Sequence, residues 1–101
     1  MKHDIHYDFA LSDGVAEQLS AAAHELNTKL IKPADDDCTL LWYAWNSQAS
    51  EQYVRKYREL IGALSSVRDE LFSEAEEINR ISRVMRIKEE EAARLAKERE
   101  G

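Results

Sequence analysis

Residues that could carry chemistry are few and scattered in this chain. His3 and His6 stand three positions apart near the N-terminus, and Asp35, Asp36 and Asp37 follow one another after the only proline. Two histidines without further ligands do not make a metal site. Calcium loops space their ligands at intervals and turn at a glycine. We therefore expect no metal and no cofactor, and interpret the acidic run as a solvated turn or the start of a short helical piece.

The residues for nucleophilic catalysis are also missing. Cys38 is the only cysteine, so it can form no disulfide within the chain, and no base stands near it in the sequence. His24 lies outside the apolar stripe of its segment and has no catalytic companion. No glycine-rich phosphate loop is present. The sequence therefore predicts a protein that is not an enzyme.

The composition predicts one all-helical domain. The chain has 101 residues with three glycines and one proline, and 34% of its residues are charged, a composition that favours helix. The formal net charge of −6 argues against nucleic acid or an anionic membrane as the partner. No apolar run is long enough to cross a bilayer, and the N-terminus has no apolar signal-peptide core. We expect no membrane insertion and no cleaved signal peptide.

The pattern of the first third of the domain predicts an arm followed by a helix. Residues 3–11 alternate between apolar and polar side chains, which predicts an extended arm over residues 1–11. Residues 12–32 have helical periodicity, with Ser12 or Asp13 as the N-cap. The apolar positions of this first helix are Val15, Leu19, Ala22, Leu26 and Leu30.

The remainder reads as a turn region and one long second helix. Pro33 should end the first helix, so we expect a turn region over 33–46 and a second helix over 47–98, within a single domain 1–101. Glu74 and Lys88 interrupt a seam whose steps of three and four predict coiled-coil-like packing. The apolar members of that seam are Tyr53, Tyr57, Leu60, Leu64, Val67, Leu71, Ala75, Ile78, Ile81, Met85, Ala92 and Leu95.

An aromatic cluster marks the point where the chain should double back. Trp42, Tyr43, Trp45 and Tyr53 lie close together in the sequence, and bulky aromatic side chains can plug the closed end of a helical hairpin. We therefore predict an antiparallel hairpin with a long second helix.

The predicted helices differ in length, and this difference predicts a partner. A helix of about 20 residues spans about 30 Å and one of about 50 residues about 75 Å, so the first should cover the second only to about residue 70. Leaving the apolar side chains beyond that point in water is costly. We expect a second hairpin, identical or related, to cover them in a four-helix bundle. The predicted partner-binding residues are Ile78, Ile81, Val84, Met85, Ile87 and Leu95.

Charges follow a pattern along the same part of the second helix. A basic group formed by Arg80, Arg83, Arg86 and Lys88 comes after an acidic stretch. This pattern either sets the register of an antiparallel partner or forms a solvated surface, and both interpretations stay open.

The predicted turn resembles that of a known family. Trp45, Asn46 and Ser47, followed by Glu51 and Tyr53 between two amphipathic helices, resemble the Trp-x-Gly family of small, early-secreted-antigen-like type VII secretion substrates. Trp45 matches the family's tryptophan and Tyr53 its later aromatic residue, while Ser47 stands where the glycine belongs. The resemblance implies a hairpin that dimerises, is made in the cytoplasm of Gram-positive-type bacteria, and is exported without a cleaved signal peptide.

The family's export signal, Tyr-x-x-x-Asp/Glu near the end of the second helix, is not kept. Arg86 and Glu90 hold its expected positions, and Phe72 with Glu76 has the spacing at an earlier place. In this respect the chain resembles related hairpins that bind the helical N-terminal domain of LXG-type toxins and help to target them. The resemblance therefore implies a homodimer, or a heterodimer with a related hairpin or a toxin domain. The alternative is a cytosolic coiled-coil adaptor or structural dimer unrelated to secretion.

Overall fold

The computed structural model describes residues 7–44 and 48–100, and all of these except Tyr7 and Asp8 are helical. Helix α1 spans Phe9–Leu26, a π-helical segment spans Asn27–Ile31, α2 spans Lys32–Ala44 and α3 spans Gln48–Glu100. The molecule measures 80 × 21 × 16 Å. Since α3 has 53 residues at about 1.5 Å each, this helix alone accounts for the long dimension. The prediction of an all-helical fold is confirmed.

Helix α1 begins earlier than predicted, because Asp8 is its N-cap. An Asp8 carboxylate oxygen accepts a hydrogen bond from the Leu11 backbone N–H at 2.9 Å, which satisfies one of the free donors of the first turn. The predicted caps, Ser12 and Asp13, lie inside the helix. The prediction of an extended arm is therefore wrong for residues 9–11, and its first six residues lie outside the described part of the chain.

Pro33 does not end the first helix, contrary to the prediction. Proline lacks the N–H that an α-helix needs and its ring clashes with the carbonyl four residues earlier. Here the turn before it is widened to a π-helix, in which the Lys32 N–H bonds the carbonyl of Asn27, five residues back. The helix then continues to Ala44. Helical structure therefore replaces the predicted turn region as far as residue 44, and residues 45–47 lie outside the described ranges.

The π-helical segment also adds one residue to the repeat of the first helix. Between Phe9 and Ala44 the buried residues are Ala16, Ala23, Ile31 and Cys38. Their spacing is seven, then eight across the π-helical segment, then seven. A π turn contains one residue more than the α turn it replaces, which accounts for the step of eight. The predicted apolar stripe through Val15, Ala22 and Leu30 has the same spacings, but it lies one residue before the buried one on both sides of the π-helical segment.

The continuous helical stretch from Phe9 to Ala44, here called the first helical stretch, runs beside α3 in the opposite direction. Asp13 near the start of α1 bonds Arg86 of α3, whereas the Cys38 thiol in α2 lies 3.8 Å from the carbonyl oxygen of Val54 near the start of α3. The first stretch therefore reaches residue 86, not about residue 70 as predicted. The reason is that the helical stretch is 36 residues long, from Phe9 to Ala44.

Small side chains fill the interface between the two stretches. Fully or almost fully buried in α3 are Val54, Ala75 and Ser82, spaced by multiples of seven. Small residues at such positions allow helix axes to approach closely. Half-buried around them are Tyr57, Ile61, Leu64, Arg68, Leu71, Ile78 and Met85.

Candidate partner-binding surface

A second apolar row on α3 faces solvent. Tyr53, Leu60, Val67 and Ile81 are 65%, 55%, 47% and 39% exposed, and they are spaced by multiples of seven. Each comes directly before a position of the buried repeat, so it is rotated by about 100° from the interface with the first stretch. These four residues belong to the predicted seam, but the structure leaves them outside the interface within the chain.

The first helical stretch adds two residues to this row. Val15 and Leu30 are exposed, and each directly precedes a buried residue, Ala16 or Ile31. Because the two stretches face each other and run in opposite directions, equal rotations from the contact line bring side chains to the same side of the pair. We call this side the exposed apolar face, formed by Val15, Leu30, Tyr53, Leu60, Val67, Ile81 and, beyond the described contacts between the two stretches, Leu95.

The opposite side of the pair is held by polar contacts. One Asp13 carboxylate oxygen accepts from the Ser82 hydroxyl at 3.1 Å and the other from the Arg86 guanidinium at 2.9 Å. The Arg86 guanidinium also lies 4.5 Å from the centre of the Phe9 ring, a favourable cation–π arrangement. Asp13 thus satisfies the hydroxyl of the buried Ser82 and joins the start of α1 to α3.

The predicted partner-binding residues divide into two groups. Ile78 and Met85 are half-buried, because the first stretch extends further along α3 than predicted. Exposed are Ile81, Val84, Ile87 and Leu95. Only this second group is available to another molecule.

The residues considered as export determinants lie in different surroundings. Phe72 is half-buried, and its ring meets the His24 ring edge-on with the centres 5.0 Å apart. Arg86 is engaged by Asp13. Glu76 and Glu90 are exposed on α3. Phe72 and Arg86 therefore contribute to packing within the chain.

The aromatic residues near the predicted turn do not form one cluster in the described part of the chain. Trp42 is 40% exposed and lines a groove with Val54 and Arg58. Tyr53 lines a separate groove with Tyr57 and Leu60. Trp45, Asn46 and Ser47 of the predicted motif lie outside the described residues.

One buried contact near this end of the pair could not be predicted from the local sequence. Cys38 is fully buried and Val54 is 5% exposed, and the thiol of the first approaches the backbone carbonyl of the second. The signal that could have found them is the seven-residue spacing from Ile31 to Cys38 and from Val54 to Ile61, once the helix is allowed to pass through Pro33.

Two further polar contacts are present, one between the two stretches and one within α3. The Arg68 guanidinium donates to the Asn27 amide oxygen at 2.7 Å, which ties the π-helical segment to the middle of α3. On the solvent side of α3, the hydrogen bond from Arg80 lowers the pKa of Glu77 and the same contact raises the pKa of Arg80. Because both groups are fully exposed, we regard the second contact as local support of the helix.

The described residues hold no cluster of three or more histidine, cysteine or acidic side chains arranged to bind a metal ion. Within 7–44 and 48–100, none of the helices combines the length and apolar character needed to cross a membrane. Comparisons with protein families, with curated proteins and with solved structures found no match to this chain.

Proposed function

We propose that this chain is a non-enzymatic helical hairpin that presents its exposed apolar face to a protein partner. The observation that supports this proposal is the distribution of side-chain size. Alanine, cysteine and serine are the most buried residues, whereas Leu60, Val67 and Ile81 are exposed in one row. Covering an apolar side chain of that size contributes about 1.5–3 kcal/mol, and such faces mark protein interaction sites. The arrangement that covers both helices of the face is a four-helix bundle.

We further propose that the partner belongs to a type VII secretion pathway. This part rests on the resemblance of Trp45, Asn46, Ser47 and Tyr53 to the Trp-x-Gly turn. In this role the chain binds a related hairpin or the helical N-terminal domain of an LXG-type toxin, and it leaves the cytoplasm with that protein or targets it to the export machinery.

A cytosolic coiled-coil adaptor is the second candidate. It is favoured by the buried repeat of α3, which keeps its spacing in multiples of seven from Val54 through Ala75 to Ser82, as in a plain coiled coil. It is also favoured by the exposure of Tyr53, since an adaptor needs no aromatic packing at the turn.

Binding can be separated from folding with aspartate substitutions on α3. Ile81→Asp should leave helix content unchanged and abolish binding to the N-terminal domain of an LXG-type toxin, because it charges only the exposed apolar face. Leu71→Asp should unfold the chain, since its half-buried position would enclose an unpaired charge. Ser73→Asp, an exposed position away from the face, is the control and should preserve folding and binding. The measurements are circular dichroism and co-purification of the two co-expressed proteins.

Loss of helix on changing Ile81 alone would contradict the division between the two surfaces. Secretion is tested separately by following the tagged chain in the culture medium of its source bacterium, with and without the type VII ATPase. A chain that binds no toxin domain and never reaches the medium would favour the adaptor.

A further inference from the structure

The charges within the exposed row of α3 restrict what can lie on it. Between Val67 and Leu95 the row contains Glu74, Ile81 and Lys88, each seven residues from the next, and all five side chains are exposed. A glutamate and a lysine thus flank an isoleucine at equal distances. A surface that covers Ile81 must place a positive charge opposite Glu74 and a negative charge opposite Lys88.

We propose that a second copy of this chain covers the row, with the two α3 helices antiparallel and crossing at Ile81. This inference rests on the proposed function, because it names the partner of the same face. In this register, Ile81 meets Ile81 of the second copy on the two-fold axis. Glu74 of each chain meets Lys88 of the other, and Val67 of each meets Leu95 of the other.

Other registers of two copies leave charges unmatched. A parallel pair in register sets Glu74 against Glu74 and Lys88 against Lys88. Sliding the antiparallel pair by one repeat of seven in either direction sets one of these charges against Ile81, and sliding by two sets like charges together. Like charges opposed across an interface are costly, so the crossing at Ile81 is the register that the sequence of charges favours.

The end of α3 fits this arrangement. The first helical stretch reaches Arg86, so no other described part of the same chain covers the last turns of α3. In the proposed dimer, Leu95 of one copy packs against Val67 of the other. Leu30 lies on the same side of the helix pair as Val67, and near it along the pair, because Asn27 bonds Arg68. The tail of one copy therefore occupies the groove between the first stretch and α3 of its partner.

Charge exchange tests the register directly. The variants are Glu74→Lys, Lys88→Glu and the double variant, each compared with the unchanged chain by sedimentation equilibrium at low salt, where exposed charges are least screened. We expect each single variant to raise the dimer dissociation constant about tenfold or more. The double variant should return it to within about threefold, because both pairs are restored with exchanged signs. Helix content by circular dichroism should be the same for all four proteins.

Mixing the two single variants provides a second readout. The mixture should form a heterodimer as tight as the original dimer, because the lysine introduced at position 74 of one chain then meets the glutamate introduced at position 88 of the other, and the unchanged pair also matches. Equal dissociation constants for all four proteins, or a double variant no better than the singles, would overturn the proposed register. An unchanged chain that stays monomeric while it binds an LXG-toxin domain would overturn the dimer and leave the proposed function standing.

Discussion

Leucine substitutions at two neighbouring alanines test which stripe of the first helix is buried. Ala23 is fully buried, whereas Ala22, one residue earlier, is exposed. Leucine and alanine are both strong helix formers, so neither Ala23→Leu nor Ala22→Leu should disturb the helix itself. Only the change at position 23 forces a larger side chain into the closely packed interface with α3.

The expected cost follows from overpacking. Adding methylene groups to a well-packed interface typically destabilises by about 1–3 kcal/mol. In a domain of about 100 residues, each 1 kcal/mol lowers the melting temperature by about 4–8 °C. A cost in the middle of that range lowers the melting temperature of Ala23→Leu by roughly 10 °C. Ala22→Leu should change it by a few degrees at most, because its side chain enters solvent.

The assay is thermal unfolding followed by circular dichroism, with all proteins at one low concentration because association would raise the melting temperature. The reasoning would be refuted by the reverse order, in which Ala22→Leu is destabilising and Ala23→Leu is neutral. That result would place the buried contact along Val15 and Ala22, which belong to the apolar stripe predicted from the sequence.

Two further pairs of variants test the π-helical segment and the closed end. Deleting Leu30 together with Pro33→Ala should preserve helix content and cooperative melting, because it removes the extra residue and restores an even repeat of seven. Deleting Ala22 is the control. It should abolish cooperative melting, because it turns the buried residues on one side of the deletion out of the interface. At the end of the pair where Cys38 meets Val54, Val54→Ala should lower the free energy of unfolding by about 1–2 kcal/mol. Tyr53→Ala should have a much smaller effect, and chemical denaturation measures both. A larger loss of stability for Tyr53→Ala would mean that the tyrosine, not the valine, packs at this end within the single chain.

The all-helical fold and the extent of α3 could be predicted because their signals are local. The absence of proline, a single glycine and an apolar period interrupted only at Glu74 and Lys88 define a long helix, and the predicted bounds 47–98 come close to Gln48–Glu100. The passage of the first helix through Pro33 could not be predicted from local preference. The step of eight from Ala22 to Leu30 is visible in the sequence, but it does not reveal that the turn widens to a π-helix and lets the helix continue through the proline.

The choice between neighbouring stripes also lay beyond the sequence. On α3, the row through Leu60 and Val67 and the row through Ile61 and Ala75 both have the spacing of a helical interface. Hydrophobicity favours the first row, but the structure buries the second, because small side chains allow the helices to approach closely. A helix with two adjacent apolar rows has one row to pack within the chain and one left for another molecule, and only tertiary contacts show which is which.

The distribution of side-chain size links stability to association. Among the described residues, the largest fully buried side chain is that of Cys38, and larger apolar side chains of the interface such as Leu64 and Leu71 are only half-buried. A small domain with such an interior is marginally stable alone. The aliphatic side chains of the exposed apolar face, including Val67 and Ile81, are covered only when another molecule binds, and binding that is specific to the folded state raises stability by mass action. The melting temperature should therefore rise with protein concentration, and this rise should vanish in Ile81→Asp. A melting temperature independent of concentration in both proteins would show that the interior of the single chain already suffices.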